Sequence, residues 1–551
     1  MKVLSAIILS VVIPGVVSAQ WNPSSSVNTS VCVQPYDQQD ARIVTDSKGG
    51  AIITWLDFRN DAAQILGDVF VQRIDKNGIN KWTVNGVAAC ADATNQTAPS
   101  VVEDGTGGAI IAWNDWRNGT RDIYAQKIDS TGTVKWAVNG VAVVAKASHQ
   151  QDAKLISDGA GGAIVVWQDS ANGLWDIYAQ RISSTGSLNW TAAGVPICSA
   201  ADAQINPRIE TDGAGGAVIV WQDKRGGIDY DIYAQHVDAT GATTWTANGV
   251  AVCTSISTQS NPKIEPDGAG GMIIAWQDKR NGVDYNVYTQ RLSAAGIVLW
   301  SPNGVAVCTA AASQSAVDMT SEGIAGAIIV WKDLRSGNYD IYAQRVDLTG
   351  NLQWAVNGVA ISTGPGAQLN PNAVGDGAGG AIIVWQDSSA GSSDIKSQRL
   401  SSLGVVQWTV GGVGVGTAAD NQTSPKNVSD GSGGSIYAWQ DKRNAADFDI
   451  YAHHLYSNGS TSGIFEHNNY IRSSVFPNPF SESAEIQVSG IEYQAKGIRL
   501  FDVLGQEISP DVTKNDKGFL IKRNNLSIGI YFYEIKTSEN IFSTGKFIIT
   551  D

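Results

Sequence analysis

Two acidic residues bracket the same loop in copy after copy of an internal repeat, as in Asp115/Asp122, Asp169/Asp176 and Asp333/Asp340. An arginine stands two residues after the first of them at Arg59, Arg117, Arg225, Arg280, Arg335 and Arg443, whereas Ala171 and Ser389 break the pattern. Oxygen-bearing side chains gathered on one loop could hold Ca²⁺, and Asp278, Asn281 and Asp284 come nearest to such a set. Calcium takes about six to eight hard ligands, and no copy of the repeat reaches that density. The expectation is therefore loop capping plus an Asp–Arg pair, with no cofactor required. Aromatics give the loops a second possible use. Trp175, Tyr230, Tyr285, Tyr339 and Phe448 immediately precede the second Asp, or the Asn286 that replaces it, and Trp116 lies earlier in its own loop. Such rings can stack on sugars while Asp, Asn and Arg reach the hydroxyls. These six are the candidate ligand-binding residues, against packing within the loop as the plainer role.

Catalysis finds little in the sequence. Of the five His, His236 and His453 are substitutions within a strand phrase, and neither a Ser/His/Asp order nor an H-E-x-x-H spacing occurs. Carboxylates are plentiful enough that a glycosidase-like pair stays open. The leading expectation is a binding or adhesion protein and not an enzyme; the alternative is a polysaccharide- or peptide-degrading enzyme.

The elements that must position these residues follow from two tryptophan series. Trp55, Trp113, Trp167, Trp221, Trp276, Trp331, Trp385 and Trp439 recur at about 54 residues, the mark of a repeat architecture. A second series, Trp82, Trp136, Trp190, Trp245, Trp300, Trp354 and Trp408, has seven members where eight are expected. Trp21, before the first full repeat, is the missing one, while the last repeat stops after His453-His454-Leu455. The count closes if the chain ends meet, which predicts an all-β, eight-bladed β-propeller sealed by strand exchange between the N-terminal segment and the last repeat. Within a repeat, Asp-Gly turns and apolar runs such as Met272–Trp276 predict four short strands, with the tight turns on one face and the long loops on the other. Ligands are expected on the long-loop face. An invariant glutamine, from Gln38 and Gln96 through to Gln422, is expected to be a structural amide bridging neighbouring loops. Cys90, Cys198, Cys253 and Cys308 sit eight residues after a second-series Trp, too far apart on neighbouring sheets for disulfides; Cys32 departs from that spacing.

Composition narrows the partners. With 38 basic against 52 acidic residues and a formal charge of −14, nucleic acid is not an expected partner. Residues 1–19 read as a cleavable signal peptide: Lys2, an apolar stretch, then Val17-Ser18-Ala19. No other run is long enough to span a bilayer, and a monomer is expected.

Near residue 457 the repeats give way to a Ser/Gly-rich linker, 457–472, and then to a small β module of Ig-like sandwich type, 473–551, leaving 20–456 for the propeller. Four motifs follow in order: Val475-Phe476-Pro477-Asn478-Pro479-Phe480, Ile498 to Gln506, Leu526 to Tyr533, and Gly545-Lys546-Phe547-Ile548-Ile549. This segment resembles the C-terminal sorting domain of type IX secretion cargo. The resemblance implies a Bacteroidota-type bacterium, passage through the type IX machinery, removal of the domain by a sortase-like peptidase, and release or attachment at the cell surface. It also places Pro477, Asn478, Pro479, Gly529, Tyr531, Gly545 and Lys546 on the sorting motif.

Overall fold

The structure, a computed structural model, describes residues 21–321, 326–461, 472–489, 495–503, 505–509, 511–515, 518–537 and 542–551. The expected signal peptide and most of the expected linker lie outside the described residues. Every regular element among the described residues is a β-strand. The chain divides into two compact units, Met1–Gly463 and Ile464–Asp551.

The first unit contains eight four-stranded antiparallel sheets in a propeller-like array. The fifth repeat shows the pattern: an inner strand Gln259–Pro266, then Met272–Asp278, Asn286–Leu292 and an outer strand Val305–Cys308. The second strand is buried along its whole length, because its two faces meet neighbouring sheets. Burying one indole such as Trp276 there removes roughly 150–250 Å² from water, which stabilises by about 4–6 kcal/mol at most.

One extra residue in each inner strand bends it. Between Gln39 and Arg42 the partner advances only from Leu56 to Thr54, so Asp40, at φ 54°, stands out of the ladder as a bulge. Asp152, Asn206, Asn261 and Asn370 take the same left-handed conformation in their repeats. This bulge decides which way the residues after it face.

Seven sheets come from consecutive strands; the eighth does not. Its outer strand is Thr29–Cys32, paired antiparallel with Asp449–Leu455 through Thr29↔Ala452 and Ser30↔Tyr451. Each inner strand also lies beside those of the repeats before and after, and Gln38–Thr45 lies beside Gln422–Ser429. Trp21 makes to the carbonyl of Lys76 the indole hydrogen bond that Trp82 makes to Ser130 and Trp408 to Ser457. A Cβ on Gly78, Gly132 or Gly404 would strike the ring of Trp21, Trp82 or Trp354 at 2.7 to 2.9 Å, and all three glycines have φ between 76° and 88°. Only glycine satisfies both conditions.

The second unit holds two four-stranded antiparallel sheets. Phe480, Ile486, Leu500, Phe519, Tyr531 and Phe547 are among the side chains of its single core.

Candidate functional site

The bracketing acids and their arginines form a buried staple. Asp278 accepts from the Trp276 indole at 2.8 Å and from the Arg280 Nε at 2.9 Å, with Arg280 Nη2 on its other oxygen at 2.6 Å. Arg280 also donates to the carbonyl of Asn303 and lies 3.7 Å over the Tyr288 ring, so one guanidinium ties two strands and a turn together. Asp57, Asp115, Asp223, Asp333 and Asp441 are held by Arg59, Arg117, Arg225, Arg335 and Arg443 in the same way.

The two exceptions are repaired from elsewhere in the fold. In the third repeat, where Ala171 stands for the arginine, Lys146 reaches Asp169 at 3.0 Å and sits 4.5 Å over the Tyr178 ring. The Trp167 indole N–H is left without a partner there. In the seventh, Lys396 replaces the aromatic and its Nζ lies 3.2 Å from Asp387. The second acid of the bracket is buried in most repeats and half-buried at Asp231 and Asp394, and burial pushes Asp68 and Asp231 up to about 6 and Asp449 to about 7.

The five cysteines are free and buried. Cys32 proves equivalent to the others, pairing with Ile450 as Cys90 does with Val69 and Cys253 with Ile232. Each thiol faces the staple of the next sheet, Cys32 on Asp57 at 3.6 Å and Cys253 on Asp278 at 3.9 Å. Burial pushes Cys90, Cys198 and Cys253 up to about 12, which leaves them as unreactive thiols.

The invariant glutamine is the first residue of each inner strand. Its backbone N–H crosses to the preceding repeat, for example Gln259 to the carbonyl of Tyr230 at 2.7 Å, while its side-chain amide caps its own loop at Ser255, Ile256 and Ser257.

The loop aromatics occupy six of the eight repeats and are half-buried. Trp175, Tyr230, Tyr285, Tyr339 and Phe448 each lend a backbone carbonyl to the glutamine of the next repeat. Lys224, Lys279, Lys332 and Lys442 lie over Tyr230, Tyr285, Tyr339 and Phe448 at 5.9, 5.7, 4.4 and 5.4 Å. Trp116 packs near His149 and Arg121, and its buried indole N–H has no partner. The three residues weighed for calcium are not brought together: Asp278 is held in the staple, Asn281 caps Val283 and Asp284, and Asp284 meets Ser313.

What the spacing did not reveal is a cavity of about 520 Å³ between the inner strands of six repeats. Its charged lining is Arg42, Arg208, Lys263, Lys332 and Lys426 against Asp40 and Asp318. Arg42 pairs with Asp40 at 2.6 Å and Lys263 with Asp318 at 2.8 Å, Asp318 also accepting from Asn372. Arg208, Lys332 and Lys426 have no carboxylate partner among the described residues. Burial holds Lys426 down at about 8 and lowers Arg208 and Lys332. The first cations belong to one register position, occupied in turn by Arg42, Ser100, Lys154, Arg208, Lys263, Asp318, Asn372 and Lys426. Two residues further along, Glu210 and Glu265 stand on adjacent inner strands. Burial raises both carboxyls, Glu210 to about 7, and the Glu210 charge raises Glu265 further.

In the second unit, Asn478 ties the first sorting motif to the last. Its Oδ1 accepts from Ile548 N at 2.8 Å and its Nδ2 donates to the carbonyl of Lys546 at 3.3 Å. Gly545 leaves room for Tyr533, whose hydroxyl would stand 2.3 Å from a Cβ there. Tyr531 stacks on Phe547 with centroids 5.5 Å apart and donates to the carbonyl of Ser527. Pro477 and Pro479 flank Asn478 on the exposed turn before Phe480, and Gly529 opens the strand that carries Tyr531.

This unit is a type IX sorting domain: residues 474–550 match the family described as Secretion system C-terminal sorting domain. The domain indicates secretion by the type IX route. No curated protein matches the chain. Among solved structures, a eukaryotic initiation factor is similar at 9% identity and a TM-score of 0.41, over 79% of this chain and 89% of that one. A puromycin-hydrolyzing peptidase from Mycobacterium tuberculosis is similar at 11% and 0.39, over 76% and 61%. An endo-arabinase from Bacteroides thetaiotaomicron is similar at 14% and 0.29, over 50% and 98%. No helix among the described residues is long and apolar enough to cross a membrane.

Proposed function

We propose that the repeats are the blades of one eight-bladed propeller, closed by strand exchange between the N-terminal segment and the last repeat, and that the C-terminal unit is an Ig-like sandwich. On this reading residues 1–19 are removed as a signal peptide, 20–456 form the propeller, 457–472 link it to the sorting domain, and a sortase-like peptidase removes 473–551. The mature chain is a monomeric binding and adhesion protein, released or held at the outer surface, that takes an extracellular glycan or protein ligand on the long-loop face.

One observation carries the reading. The polar residues that all repeats share are spent on holding the sheets together, in the staples and the glutamine bridges, whereas the repeats differ where the inner strands border the cavity. A catalytic role for the shared Asp is disfavoured, because in six repeats it is already saturated by Arg and Trp hydrogen bonds and in the other two a lysine pairs with it. The secondary reading, a polysaccharide-degrading enzyme, draws on Glu210 and Glu265, whose raised carboxyls suit acid chemistry.

The test is retention of the secreted protein on a panel of glycans and matrix proteins, with products assayed for every hit. Retention without products is expected, and lost when Trp175, Tyr230 and Tyr285 are together replaced by Ala. Product release abolished by Glu265→Gln would establish the enzyme instead.

A further inference from the structure

We infer that the central cavity binds a small anionic ligand carrying carboxylate or sulfate groups, held by Arg208, Lys332 and Lys426. The inference rests on the reading of the protein as an extracellular binder and supplies the chemistry of its ligand.

The fold does not require these cations. Ser100 and Asn372 occupy the register position of Arg208 and Lys426 in other repeats with the same strand pairing. Enclosing a cation without a counter-ion is unfavourable, the more so when the neighbours Arg42 and Lys263 are cations too. In a chain with a formal charge of −14, a cavity with five cations and two carboxylates runs against the overall sign. Three of those cations keep their N–H donors free of carboxylates. An anion entering the cavity would meet the donors in a site whose partial exclusion of water strengthens the pairing.

The geometry also limits the size and shape of the occupant. A cavity of about 520 Å³ admits a molecule of one or two sugar rings. Arg208 and Lys426 come from the fourth and eighth repeats, four apart in an array of eight, so they approach the cavity from different sides and suit a ligand with two separated anionic groups. Lys332 lies 4.4 Å over the Tyr339 ring and also lines the cavity, which joins the anion site to a loop aromatic able to take a sugar face. An acidic sugar and a free dicarboxylate share this chemistry.

The experiment is titration calorimetry on the full secreted chain with digalacturonate, a sulfated disaccharide, the neutral digalactose and tartrate, each at low and at about 0.5 M salt. At least one acidic compound should bind at least about tenfold tighter than digalactose, with affinity falling at high salt. Arg208→Gln and Lys426→Gln should each weaken binding about tenfold or more while leaving Tm unchanged or raised, since each removes an uncompensated charge. Lys135→Gln, at an exposed ion pair with Asp129, should bind as the parent does. Tartrate binding as tightly as digalacturonate would assign the site to free acids and support the inference. No binding of any anion, or wild-type binding by both cavity variants, would overturn it. Retention of neutral glycans that depends on the loop aromatics but not on Arg208 or Lys426 would sink this inference and leave the binder reading standing. Products released from a glycan, with anion binding still lost in the two variants, would do the reverse.

Discussion

The staple and the cavity are built on neighbouring strands of the same repeats, yet one is nearly uniform around the array and the other varies from repeat to repeat. At Asp57, Asp115, Asp223, Asp278, Asp333 and Asp441 an acid, an arginine and a tryptophan recur with distances that agree within tenths of an ångström. At the register position of Lys426 these six repeats carry Arg, Ser, Lys and Asp, and the seventh carries Asn. Uniformity marks a packing problem that every sheet interface shares, and divergence marks a surface free of that constraint. Where the staple itself varies, Lys146 restores the ion pair from a loop and Lys396 from a strand, so the requirement lies in the charge and not in the residue.

That contrast can be broken in order of size. Asp278→Ala should be the most damaging change, destabilising by about 3–5 kcal/mol, because it leaves the half-buried Arg280 without its counter-ion and the buried Trp276 indole unpaired; denaturant unfolding reads it, and a loss below 1 kcal/mol would show the staple to be ornamental. Lys146→Ala should destabilise by about 2–3 kcal/mol, and adding Ala171→Arg should recover most of that loss by restoring the usual staple. Failure of the second change to rescue the first would mean the lysine does something other than replace arginine. Gly404→Ala should lose about 1–3 kcal/mol through its left-handed backbone and its approach to Trp354, seen as a lower Tm.

The smallest effect is one of pH. His453 is fully buried in the place of the glutamine of other repeats, both ring nitrogens lack partners among the described residues, and burial, with the neighbouring His454, lowers it to about 3. Its folded pKa lies below the unfolded value, so the unfolded chain binds the extra proton and stability falls as pH drops below about 6.5, by about 1.4 kcal/mol at pH 5.5. His453→Gln should flatten that part of the acid limb, and an unchanged pH profile would remove His453 from the account.

Much of this could be read from the residues. The Trp count anticipated that Trp21 stands in for an eighth member, and its bond to Lys76 repeats those of Trp82 and Trp408. The sorting motifs were legible because their spacing is local, although the bond from Asn478 to Ile548 spans seventy residues. Cys32 breaks the spacing of the other four in the sequence, yet its pairing with Ile450 gives it their place in the sheet.

The sequence by itself determined the repeat, the strand order within it and the export route, because each depends on patterns a few residues long that recur or stand together. Tertiary structure alone decided the cavity. Arg42, Arg208, Lys263 and Lys426 belong to different repeats, and the bulge at Asp40 and its counterparts offsets the two-residue alternation that would otherwise predict which side chains face inward. The repeat spacing gives them one register position, but that they turn towards a shared cavity is a property of the bulged, assembled inner strands.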